Sequence, residues 1–129
     1  MTRLLSGYAL IYSPMVVLIK GVEYTAKLLD KEHYIKENED KSYAHLDKEK
    51  KELTFRKDYI SKKIVIHEVT HAYINACHLA SCSNISMDDF EEIICELMEE
   101  HLDDIRQTSN QVFNFLKSEV KGVRRKKRR

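Results

Sequence analysis

The chain has 129 residues, enough for one domain with its own core, and 43% apolar with 33% charged residues is the balance of a soluble globular protein. Its net charge of +1 hides an asymmetry: residues 121–129 carry seven of the 22 basic residues and no acid, leaving 15 basic against 21 acidic residues in 1–120. The longest early apolar run, Tyr8 to Ile19, is broken by Pro14 and falls short of the roughly 20 residues of a membrane span, so neither a span nor a signal peptide is expected.

Residues 1–7 read as a frayed start. Gly7 to Tyr12 and Met15 to Lys20 are rich in β-branched and aromatic residues, and Ser13-Pro14 separates them. Lys20-Gly21 is a turn signal. Val22, Tyr24, Ala26 and Leu28 then alternate with Glu23, Thr25 and Lys27, the pattern of a half-buried strand, so the region predicts a hairpin. Residues 30–42 are polar and read as a loop or a short helix. Ser42 to Asp47 and Glu52 to Arg56 bracket a charged turn and predict a second hairpin.

A helix is expected from about Tyr59 to Leu79, capped by Asp58 or Ser61. Small and turn-favouring residues at 80–86 end it. Ser86 followed by Asp88 and Asp89 marks the next helix start, and Val112, Phe113, Phe115, Leu116 and Val120 belong to a last amphipathic helix over 107–120, after a kink near Thr108-Ser109-Asn110. Strands first and helices second argue an α+β fold.

The first long helix carries His67-Glu68-Val69-Thr70-His71. A helix turns about 100° per residue, so His67 and His71 project from one face and can reach one metal ion. Glu68 stands beside them, where a carboxylate can meet an activated water. Val65, Ile66, Val69, Tyr73 and Ala76 form the opposite, core-facing side. A catalytic zinc commonly takes three protein ligands. The acid-rich second helix offers Glu91, Glu92, Glu96 and His101. Phe90, Ile93, Ile94, Leu97, Met98 and Ile105 define its apolar face. Glu91 lies on the margin of that face and is the first choice, with Glu92 second; His101, in mid-face, reads as a packed core histidine.

Strands followed by His67-Glu68-Val69-Thr70-His71-Ala72-Tyr73 and then Phe90-Glu91-Glu92-Ile93-Ile94-Cys95-Glu96-Leu97 resemble the compact ImmA/IrrE-like zinc metallopeptidases of phages and other mobile elements, of the gluzincin type. The resemblance covers about residues 20–106. It implies a small zincin-like domain in which N-terminal antiparallel hairpins precede the His-Glu-x-x-His helix, a third-ligand helix and a C-terminal helix. It implies one zinc bound by His67, His71 and Glu91, with Glu68 as general base in peptide-bond hydrolysis. Apolar residues follow the family's glutamate at +3, +6 and +7, as Ile94, Leu97 and Met98 follow Glu91; Cys95 departs from the Asp or Asn often found at +4. Tyr59 and His78 are candidates for holding the substrate or its oxyanion, and the strand Leu53–Arg56 for pairing with an extended substrate. The expected partner is a protein or peptide substrate such as a regulator.

Domain boundaries follow at 1–120 for the peptidase domain and 121–129 for a basic, disordered tail. Arg124, Arg125, Lys126, Lys127, Arg128 and Arg129 could neutralise nucleic-acid phosphates without reading sequence. Two rival functions are a non-catalytic binding protein on a zincin scaffold and a nucleic-acid adaptor working through this tail. Three cysteines, Cys77, Cys82 and Cys95, at spacings that suggest no disulfide framework point to a reducing, cytoplasmic setting and to free thiols rather than a second metal site with His78.

Overall fold

The computed structural model describes the backbone of residues 3–5, 9–11, 14–38, 42–77 and 86–127, and the side chains of 14–37, 42–77 and 86–121. The chain is an α+β domain built on a four-stranded sheet. Strands β1 (Arg3–Leu5) and β2 (Ala9–Ile11) form a separate antiparallel pair. β1 falls where a frayed start was expected. The main sheet holds β3 (Met15–Ile19), β4 (Val22–Leu29), β5 (Ala44–Asp47) and β6 (Glu52–Arg56) in the order β3-β4-β6-β5.

Both expected hairpins form. β3 and β4 are antiparallel across Lys20-Gly21, and β5 and β6 are antiparallel across the charged turn. Lys20 and Gly21 both take positive φ, 53° and 79°, the backbone of a two-residue turn that matches strand twist. Glycine adopts this freely, while lysine does so at a cost of about 1–2 kcal/mol that asparagine largely avoids. Lys20→Asn is therefore expected to raise unfolding stability by about 0.5–1 kcal/mol, measured by urea denaturation. In the second turn, Asp47 Oδ1 accepts hydrogen bonds from the backbone N–H of Glu49 and of Lys50, both at 3.0 Å. The Lys50 bond, above all, holds the Asp47 carboxyl below the usual range.

The hairpins join through a parallel pairing of β4 with β6. A parallel pair needs a crossover. Helix α1 (Lys31–Asn38) supplies it, with Tyr34 fully buried and its hydroxyl 2.8 Å from Ser42 Oγ. β6 is consequently central and buried on both faces: Leu53 and Phe55 join the main core, and Thr54 and Arg56, of the other parity, are buried as well. This corrects the expectation that Leu53–Arg56 offers an open edge. Among the described residues, the edge strands of the sheet are β3 and β5.

The main core forms where helix α2 (Lys62–Ala76) packs on this sheet and against helix α4 (Leu102–Lys127), through Val65, Val69, Ala72, Ile105, Val112 and Leu116. Helix α3 (Met87–Glu96) runs into α4 through a π-helical turn, Leu97–His101, so the backbone is helical from Met87 to Lys127 without a break at 108–110. Helical backbone through Lys127 also carries past the boundary expected at residue 121; lysine and arginine are good helix formers, and extending an existing helix needs no new nucleus. Residues 128 and 129, and the side chains of Arg124 to Lys127, lie outside the described residues. No helix of the described residues is long and apolar enough to cross a membrane.

Candidate metal and hydrolytic site

Three anchors fix the histidine helix. Ser61, in extended backbone, caps it by accepting from the Ile64 N–H at 3.2 Å; of the two cap candidates it is the one used. Asp58 instead grips Arg56, with Arg56 Nε to Oδ1 at 3.1 Å and Nη2 to Oδ2 at 2.7 Å, and this pairing holds the Asp58 carboxyl below its ordinary range. Arg56 Nη1 also donates to the Ser42 carbonyl at 3.2 Å, which ties the entrance of β5 to the link between β6 and α2. Towards the far end, Asn75 Nδ2 donates to the Tyr24 hydroxyl at 2.7 Å, and that hydroxyl donates to the Ala72 carbonyl at 3.3 Å. Helix and sheet are thus held in register on both sides of the motif.

His67 Nε2 and His71 Nε2 lie 3.2 Å apart on the exposed face of α2, their rings edge to face. Two imidazole nitrogens each about 2.0–2.1 Å from one tetrahedral zinc are separated by about 3.3 Å. The pair therefore fits two ligands of one ion. Glu68 is only 8% exposed, and its Oε2 lies 3.9 Å from His67 Nε2. Burial pushes its pKa above the ordinary carboxylate value, against the opposing pull of His67, His71 and His45. Beside it opens a cleft of about 340 Å³ lined by Ser42, Tyr43, Ala44, Lys63, Ile64, His67 and Glu68. Its walls are mainly apolar, and its floor is the start of β5 against the first turns of α2.

Tyr59 is half exposed and stacks on Tyr43 with ring centroids 4.1 Å apart, which places it at the rim of this cleft through Tyr43. His78 lies outside the described residues. Glu91 and Glu92 are exposed on α3, and among the described residues no third His, Cys, Asp or Glu joins His67 and His71 in a metal-binding group. Glu91, the first choice for third ligand from its place on the margin of the apolar face, does not join the pair among the described residues. His101 is a core histidine as expected, 4% exposed, with Nε2 3.9 Å from Cys77 Sγ. Cys95 is exposed and free, and Cys77 is a free thiol whose pKa is raised by burial. Ile66, assigned by periodicity to the core side, is 43% exposed beside the histidines, while Ala72 takes a core place.

Tyr43, Lys63 and Ile64 were not singled out as site residues. Ile64 and Lys63 are three and four positions before His67, hence on its face of the helix, a signal available from spacing alone. Tyr43 reaches the cleft only because β5 pairs beside α2, which no local pattern encodes. No family model, no curated protein and no solved structure matches the chain.

Proposed function

We propose that the chain is a zinc metallopeptidase, similar to the compact gluzincins, that hydrolyses a peptide bond with Glu68 as its proton carrier. The observation that carries this reading is the 3.2 Å separation of two exposed imidazole nitrogens next to a buried carboxylate at the mouth of an apolar cleft. His67 and His71 would hold the ion. Bound there, zinc supplies a Lewis acid for water and for the scissile carbonyl.

The remaining work falls to the chain. Glu68, buried at the cleft with Oε2 3.9 Å from His67 Nε2, is placed to take a proton from the attacking water and give it to the leaving amine. Tyr43, Ala44 and Ile64 wall a cleft that excludes water from an apolar side chain. Strand β5 lies alongside as an edge strand among the described residues and could offer its outer backbone groups to an extended peptide, the part assigned from sequence to Leu53–Arg56.

The test is cleavage of a quenched-fluorescence peptide library by zinc-loaded protein. Hydrolysis is expected, lost on chelation and restored by added zinc. A fully zinc-loaded chain that cleaves no member would contradict the reading.

A further inference from the structure

We propose that α3 is an arm through which a second copy of this chain completes the histidine site, with a carboxylate of one copy, Glu91, meeting His67 and His71 of the other. The proposal rests on reading the histidine pair as metal ligands.

Three observations lead to it. The first is reach. α2 packs antiparallel to α4: Cys77 Sγ sits by His101 Nε2 at 3.9 Å, the Tyr73 and Thr108 hydroxyls are 3.3 Å apart, and Lys62 Nζ lies over the Phe113 ring. The helix leading back from His101 to Met87 therefore runs on past the C-terminal end of α2. At 1.5 Å per residue, Glu91 stands about 15 Å beyond the level of Cys77, while His71 lies about 9 Å back from it. Glu96 (−62°, −43°) and Leu102 (−59°, −46°), on either side of the π-turn, are helical, so the arm leads on from α4 as continuous helix, and its Glu91 does not join its own histidines.

The second observation is the face that the arm leaves open. α3 buries no residue. Met87, Phe90, Ile94 and Met98 are 44–73% exposed along one stripe. A stripe of this kind on a rigid extension calls for a partner.

The third is charge. α3 carries five acids, Asp88, Asp89, Glu91, Glu92 and Glu96, and no base. The exposed histidine side of α2 has the opposite character: Lys63 in its first turn, then His67 and His71, with the single acid of the helix, Glu68, buried. Ile66 supplies an exposed apolar contact on that same side. An acidic, apolar-striped arm and a basic, histidine-bearing face complement each other. Because each copy has both, a two-fold pair satisfies two sites at once. Glu91 borders the apolar stripe at Phe90, so docking that stripe on Ile66 carries Glu91 towards the histidines.

The test is complementation with zinc as the only probe. A His67→Ala/His71→Ala chain and a Glu91→Ala/Glu92→Ala chain are each expected to bind zinc weakly. Co-expressed and purified as a heterodimer, they are expected to regain one tight zinc per two chains, because one site then has all its ligands. Phe90→Asp/Ile94→Asp, which alters only exposed positions, is expected to give a folded monomer with weakened zinc binding. A wild-type chain that is monomeric by light scattering at full zinc occupancy would overturn the arm and leave the histidine pair standing. A heterodimer that binds no more zinc than its parents would do the same. A wild-type chain that takes up no zinc would remove the metal reading and the proposal together.

Discussion

Glu68→Gln is expected to lower peptide hydrolysis by about 10²–10⁴-fold at neutral pH while zinc occupancy is unchanged. The amide keeps the shape of the side chain and its place between His67 and the cleft, but it cannot take up a proton. Unchanged hydrolysis in this variant would remove Glu68 from the mechanism. The same substitution carries a stability signature of opposite sign. Burial raises the folded-state pKa of Glu68, so the folded state favours its protonated form. That contribution is complete below the ordinary value of 4.5 and is lost as pH rises through the raised folded-state value. At neutral pH the buried carboxylate is therefore a burden on the fold. In the metal-free chain, Glu68→Gln should raise the melting temperature at pH 7, and the gain should shrink as pH falls towards 4.5. A variant that is both dead and more heat-resistant separates loss of chemistry from loss of fold.

The largest stability effect is expected at Phe55. It is 1% exposed, sits in the central strand opposite Leu28 and Ala44, and belongs to the cluster on which α2 rests. Phe55→Ala removes the whole ring where strands on both sides restrict collapse, and should cost about 3–5 kcal/mol. Against a total of about 5–15 kcal/mol for a domain of this kind, that is a large share. Urea denaturation measures it, and a loss below about 1 kcal/mol would show that the sheet is not packed as described. Zinc should offset part of the loss, because an ion that binds only the folded chain stabilises it by mass action.

The parts of this fold visible in the sequence are those written locally. Strand β4 follows from the alternation at Val22 to Leu29, its turn from Lys20-Gly21, and two helix starts from Ser61 and Ser86. The histidine pair is local too, since four residues on a helix fix its geometry. Two features escaped. Parallel pairing of β4 with β6 depends on a contact across the whole α1 crossover, and with it the assignment of the free edge moved from β6 to β5. The course of the long helix was the other. Thr108-Ser109-Asn110 reads as a kink, yet Thr108 and Ser109 are buried in unbroken helix, with Thr108 bonded to Tyr73.

The real irregularity lies at Leu97–His101, where no proline or glycine marks it. A π-turn accommodates one extra residue, and one residue is about 100° of helix rotation. Phe90, Ile94 and Met98 continue the spacing of Ile105, Val112 and Leu116 on paper, but across the π-turn the two stripes face different ways. The latter stripe is in the core, and the former is open. Glu91 is carried out with it, which is why the third ligand read from the sequence does not meet its histidines within one chain.

Zinc titration of the metal-free chain by calorimetry, with His67→Ala and His71→Ala alongside, is the measurement that bears most directly on all of this. One tight zinc per wild-type chain is expected, with each substitution weakening it by more than about 100-fold. A wild-type chain that takes up no zinc, or a His71→Ala chain that binds it equally well, would contradict the shared site.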